Sequence, residues 1–203
     1  LTIQASSATT PLEILVGWDL CGMIGYPVVH DTFRQEYNPW AHITCDGTVA
    51  NIEALWLGRE VKFLPFALRK MLETLSCFTI ADNNGRKNQI TIDNSRFPVT
   101  VRSAAGKLFD LTGEEVESWQ LFNIPMDEVL ALPHRIASLY AIEDEFEIWS
   151  AVVPYTLNYT GWVNMTTYIQ THWPETEMPV LLAPSTMHYS LPKTAALLGY
   201  GFG

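Results

Sequence analysis

The sequence predicts an α/β fold, a mainly parallel sheet flanked by helices. Three observations predict it. A capped helix with regularly spaced apolar residues opens the chain near Thr10. Residues 42–64 read as strand, tight glycine turn, helix and strand. An apolar run over residues 178–183 is followed by a loop and a second capped helix. Strands that alternate with helices are joined by crossovers, and crossovers make their strands parallel.

The first helix is marked by Thr10-Pro11-Leu12-Glu13, a capping box with proline at the first helical position. Leu12, Leu15, Val16, Leu20, Met23 and Ile24 follow at helical spacing. Gly25-Tyr26-Pro27 ends it, because proline cannot continue the ladder. After a polar loop, residues 41–44 read as a short strand. Asp46-Gly47-Thr48 then turns the chain into a helix over residues 49–60, with Ile52, Leu55 and Trp56 on one face. Residues 61–64 read as a strand from their β-branched and aromatic content.

Further on, residues 82–86 form a turn and residues 89–93 alternate like a half-buried strand. Residues 112–119 are acidic at their start, as a helix N-terminus prefers. Residues 126–140 are helical with a kink near Pro133. The run with Glu143, Asp144, Glu145 and Glu147 is a solvated face rather than a metal site. Residues 178–183 suit a buried parallel strand. Ser190 caps a last helix through residue 198, with Gly199 at its end.

Composition narrows the class. The 203 residues are 48% hydrophobic, with 7 Trp, 8 Tyr and 9 Phe, enough to build a core rather than a disordered chain. The net charge of −10 disfavours nucleic acid and anionic membrane surfaces, which need clustered Lys and Arg. No apolar run approaches the ~18 residues of a spanning helix. Cys21, Cys45 and Cys77 make no disulfide framework and fit a reducing, cytoplasmic setting. The start at Leu1 lacks Met and any leader pattern, so the chain reads as a processed chain or an interior piece.

Two places could carry chemistry. Asp46-Gly47-Thr48 precedes a helix, whose N-terminus offers unpaired N–H groups and a positive dipole end. Gly47 lets the backbone approach a ligand and Thr48 supplies a hydroxyl, a set suited to phosphate. The same residues also suit an ordinary turn with Thr48 as helix cap, and neither a Walker loop nor a dinucleotide fingerprint is present. His188 lies in the loop after the apolar run, where open α/β sheets bind ligands. A histidine there stacks on a planar ring or moves protons, or is a surface residue. His30, His42, His134 and His172 have no partner at zinc-ligand spacing.

These residues resemble a family. Ile43-Thr44-Cys45-Asp46-Gly47-Thr48-Val49-Ala50-Asn51-Ile52-Glu53-Ala54-Leu55-Trp56 is similar to the phosphate-cradling segment of the group II pyridoxal-phosphate-dependent amino-acid decarboxylases, in the form of the bacterial-type tyrosine decarboxylase branch. Pro184-Ser185-Thr186-Met187-His188-Tyr189-Ser190-Leu191-Pro192-Lys193-Thr194-Ala195 resembles the motif holding that family's ring-stacking histidine. Ser6-Ser7-Ala8-Thr9-Thr10-Pro11-Leu12-Glu13, with Gly17 to Leu20 and Gly25-Tyr26-Pro27, resembles the segment upstream of the phosphate loop. Residues 119–130 look, more weakly, like a tyrosine-decarboxylase insertion.

The resemblance implies one incomplete cofactor-binding large domain of the aspartate-aminotransferase-like fold, fold type I, over residues 1–203. Its parts would be an N-terminal helix and loop (1–40), the phosphate-loop βαβ unit (41–65), a variable region (66–178) and the histidine loop with its strand and helix (179–203). It implies pyridoxal 5'-phosphate, with Asp46, Gly47 and Thr48 at the phosphate and His188 on the ring and beside the substrate carboxylate. The implied activity is decarboxylation of an aromatic L-amino acid, with tyrosine giving tyramine, in a homodimer. None of Lys62, Lys70, Lys87, Lys107 and Lys193 sits in the family's Asn-x-His-Lys context, so the Schiff-base lysine and ring-nitrogen carboxylate are expected beyond Gly203. The alternative is a non-catalytic, degenerate or split subunit that keeps the fold for binding or assembly.

Overall fold

A computed structural model describes residues 9–29, 38–81 and 87–201, apart from the side chain of Ala81. The turn predicted at residues 82–86 and His30 lie outside the described residues. The chain divides into two compact units, Leu1–Glu53 and Ala54–Gly203.

In the first unit, α1 spans Thr9–Met23, so the predicted helix is present but Thr10, predicted as its cap, lies inside it. It stops in a Schellman motif. Tyr26 donates its N–H to the Cys21 carbonyl at 3.0 Å, Gly25 donates to Gly22 at 3.1 Å, and Gly25 takes φ +94°. The buried side differs from the expected one. Thr10, Gly17, Trp18 and Cys21 are buried, whereas Leu12, Val16, Met23 and Ile24 are exposed. Gly17 lies against the backbone of Ala41: a Cβ there would sit 2.0 Å from the Ala41 carbonyl oxygen. Residues 41–44 form no regular element and pair with no strand among the described residues, so the predicted strand is absent.

Helix α2 runs over Gly47–Thr74, far past the predicted end. Residues 61–64 are helical, which removes the second strand and with it the predicted βαβ unit. Pro65 sits inside α2, where it deletes one backbone hydrogen bond. The helix holds there because Phe63 through Arg69 are all buried. Packing on every side offsets the local cost.

The rest of the second unit packs on that segment. Strands β1 (Cys77–Ala81) and β2 (Lys87–Thr91) pair antiparallel, as do β3 (Thr100–Arg102) and β4 (Leu108–Asp110). Every strand pair among the described residues is therefore antiparallel, which does not bear out the parallel sheet. Helix α3 (Ser118–Phe122) starts later than residues 112–119 suggested, at a point where Gln120 Oε1 accepts the Glu117 N–H at 2.9 Å. Helix α4 (Met126–Leu139) carries Pro133 within it, as predicted. Helices α5 (Phe146–Val152), α6 (Leu157–Thr160) and α7 (Trp162–His172) follow. Glu143, Asp144 and Glu145 are exposed.

Residues 178–183 form no strand. Val180 is 77% and Leu182 88% exposed, so the expected buried strand is corrected to an unpaired segment. Helix α8 spans Ser190–Leu197 and ends at Gly199 as predicted, with φ +88° there. Its N-cap is Tyr189 rather than Ser190.

The contact at Gly17 yields a test with its own control. Gly17→Ala forces a methyl into the Ala41 carbonyl and should cost about 3 kcal/mol, the upper end of overpacking penalties. Gly22→Ala, in the same helix with open space around it, should be neutral or stabilising by up to ~1 kcal/mol. Urea unfolding of both variants checks the contrast, and equal effects would refute the packing argument.

Candidate functional site

The two candidate elements belong to different units, the turn at residues 46–48 to the first and His188 to the second. The turn is a helix start. The Asp46 carbonyl accepts the Ala50 N–H at 3.1 Å, and Asp46 Oδ1 accepts the Val49 N–H at 2.8 Å. That is the geometry of an N-cap. Asp46, not Thr48, is therefore the cap. Thr44 Oγ1 donates to the Asp46 carbonyl at 2.7 Å and fixes the approach of the chain.

The cap uses one of the first-turn donors. The N–H groups of Gly47 and Thr48 have no intrahelical acceptor, as in any helix start, and no acceptor among the described residues. A Cβ on Gly47 would meet nothing within 4 Å, so the space in front of the turn is open. Thr48 is half-buried and adds a hydroxyl. Two backbone donors and one hydroxyl at the start of a 28-residue helix form a set that fits a phosphate ester. The Asp46 carboxylate carries charge of the same sign as a phosphate, and its capping oxygen is committed to Val49.

A second constellation in this unit was not anticipated. His42 Nε2 lies 2.8 Å from Glu53 Oε2, and Trp40 Nε1 donates to His42 Nδ1 at 3.3 Å. An indole N–H only donates, so Nδ1 of His42 accepts and Nε2 faces the carboxylate. The chain just before the turn is thus tied to the second turn of α2. The sequence signal was slight: a Trp-x-His alternation and a glutamate two turns into the helix.

His188 is exposed, in the loop before α8. Its Nδ1 lies 2.9 Å from Ser190 Oγ and accepts the Ser190 N–H at 3.3 Å. Its carbonyl accepts the Leu191 N–H at 3.0 Å. Ring and backbone are both fastened to the first turn of α8. The Tyr189 ring lies 4.3 Å away between centroids, inclined at 45°. Lys193, on α8, is exposed.

No protein-family model matches the chain, and no solved structure matches it. Curated proteins do. The chain is 27% identical over 198 residues to the L-tyrosine decarboxylase of Levilactobacillus brevis, an alignment covering 98% of this chain and 21% of that protein. It is 26% identical over 198 residues to the L-tyrosine decarboxylase of Enterococcus faecalis, with the same coverage. Over 72 residues it is 31% identical to the L-tyrosine decarboxylase of Enterococcus faecium, covering 36% of this chain and 10% of that one. The resemblance to decarboxylases, read first from three short motifs, is borne out along nearly the whole chain. Within them, the likeness is to L-tyrosine decarboxylases, and this chain spans about a fifth of the length of the two it matches end to end.

The cap itself is testable. Asp46→Ala leaves the Val49 N–H without its acceptor and should lower stability by about 1 kcal/mol, whereas Asp46→Asn should lose only a few tenths. Thermal unfolding of the two variants decides it. An Asp46→Ala variant as stable as wild type would show that the carboxylate does not cap α2.

Proposed function

We propose that this chain is part of a pyridoxal-phosphate-dependent decarboxylase of an aromatic L-amino acid, tyrosine first. The supporting observation is the alignment with L-tyrosine decarboxylases over 98% of the chain, which includes both candidate elements. The complete protein would be a homodimer of the cytoplasm, with its cysteines free as they are here.

The residues would divide the work. The Gly47 and Thr48 N–H groups and the Thr48 hydroxyl donate to phosphate oxygens, aided by the positive end of α2. Asp46 holds that turn in shape by capping. His188 offers a planar ring to pack on the cofactor and a nitrogen to hydrogen-bond the substrate carboxylate. Pyridoxal phosphate, when bound, supplies the electron sink for the pair left behind as the carboxylate departs.

Two substitutions in the full-length protein test the assignment. Thr48→Ala removes a hydrogen bond to a charged group, worth about 1.5–3 kcal/mol. Pyridoxal-phosphate affinity should therefore fall by roughly one to two decades. A change within twofold would return the turn to a simple helix start. His188→Phe keeps a planar surface but not the nitrogen. It should retain bound-cofactor absorbance and lose tyrosine decarboxylation by about two decades, chiefly in kcat. Near wild-type turnover would remove His188 from the chemistry. A wild-type protein that binds the cofactor but releases no tyramine would favour a non-catalytic subunit.

A further inference from the structure

We propose that Ser190 is a positioning residue for His188, holding its neutral imidazole in the tautomer with the proton on Nε2. The inference rests on the reading of His188 given above and adds a residue to it. Ser190 is 0% exposed although it is polar and begins α8. The N-cap of that helix is Tyr189, whose side chain makes no cap hydrogen bond. The Ser190 hydroxyl lies 2.9 Å from Nδ1 of His188, and its backbone N–H points to the same nitrogen at 3.3 Å.

A backbone N–H can only donate, so Nδ1 must offer its lone pair. The hydroxyl rotates to suit its neighbour, and with Nδ1 accepting it becomes a second donor to that atom. Neutral imidazole carries one ring proton, and two donors at Nδ1 leave that proton on Nε2. Nε2 has no hydrogen-bond partner among the described residues. The free nitrogen is then a donor. A donor N–H suits an acceptor-only group such as the α-carboxylate of an amino acid. The opposite tautomer would present a lone pair to that carboxylate and repel it.

The test reads the tautomer directly, without cofactor or turnover. Full-length protein labelled with 15N in its histidine rings is studied by long-range 15N–1H correlation in alkaline solution, where the imidazole is neutral. His188 should show a pyridine-like Nδ1 and a pyrrole-like Nε2. Ser190→Ala keeps the backbone donor and loses the hydroxyl, so the minor tautomer should rise roughly two- to tenfold. Ser190→Thr should restore the wild-type ratio. A wild-type His188 with its proton on Nδ1 would overturn the proposal even if Ser190→Ala failed to fold. An unchanged ratio in folded Ser190→Ala would overturn it too. Because this readout needs no ring contact, it can fail while His188→Phe behaves as expected, and the converse also holds.

Discussion

The larger unit depends on a buried cation. Arg69 is 7% exposed, and it is the one charged side chain buried to that degree among the described residues. Removing a guanidinium from water costs several kcal/mol unless its donors are met. Here they are. Its Nη1 donates to the Leu111 carbonyl at 3.0 Å and the Gly113 carbonyl at 2.9 Å. Its Nε lies 2.6 Å from Glu73 Oε1, close enough for an ion pair but not aimed for a straight hydrogen bond. The guanidinium plane lies over Trp173, 5.2 Å from the ring centroid. Trp173 Nε1 in turn donates to the Val116 carbonyl at 2.7 Å. One side chain therefore ties α2 to the turn after β4 and to the end of α7. Tyr168 completes the network by donating to Glu73 Oε2 at 2.9 Å. Burial first, and then the Glu73 charge, raise its phenol above the ordinary range. Lysine in place of Arg69 would lack the fork that reaches two carbonyls and a carboxylate at once.

That burial also explains why α2 was hard to read. A helix half exposed to water carries a stripe, and the stripe has a period. Phe63 through Arg69 are buried on all sides, so the period disappears. What remains is a short run with β-branched and aromatic residues around Val61 and Phe63, and length alone separates a buried strand from a buried helix. The stops were easier because they are local. Gly25 and Gly199 each take positive φ two residues past the last residue of a helix, and both were visible as glycines after a periodic segment.

The strands failed for the opposite reason. A strand is defined by its neighbour, and nothing in residues 41–44 or 178–183 names one. Both runs lack a strand partner among the described residues. The hairpins are different, because each partner lies a few residues away. Cys77 pairs with Thr91 and Ala81 with Lys87 across a connection of five residues. The strand at residues 89–93 was read from its own alternation, and the observed strand lies two residues earlier, at Lys87–Thr91.

The candidate site divides along the same line between local and non-local information. The donor chemistry at residues 46–48 and the planar base at His188 were legible because residue type and loop position carry them. Which atom does which task was not. Asp46, read as one of three phosphate neighbours, spends an oxygen on the Val49 N–H at 2.8 Å. The consequence is a constraint on the turn. A carboxylate at a helix N-terminus is favourable by itself, because it meets the positive dipole end. A bound phosphate meets the same end. The two anions compete for one partial charge, and like charges a few ångströms apart oppose each other. On the proposed reading the turn would serve both because they use different donors: the cap takes the third N–H and leaves the first two, with the Thr48 hydroxyl, to a ligand. On this argument Asp46 shapes the turn at some cost in anion affinity, and Gly47 and Thr48 supply the attraction. On the proposal made above, Ser190 stands to His188 in a similar relation, a buried polar group that would set what its neighbour presents.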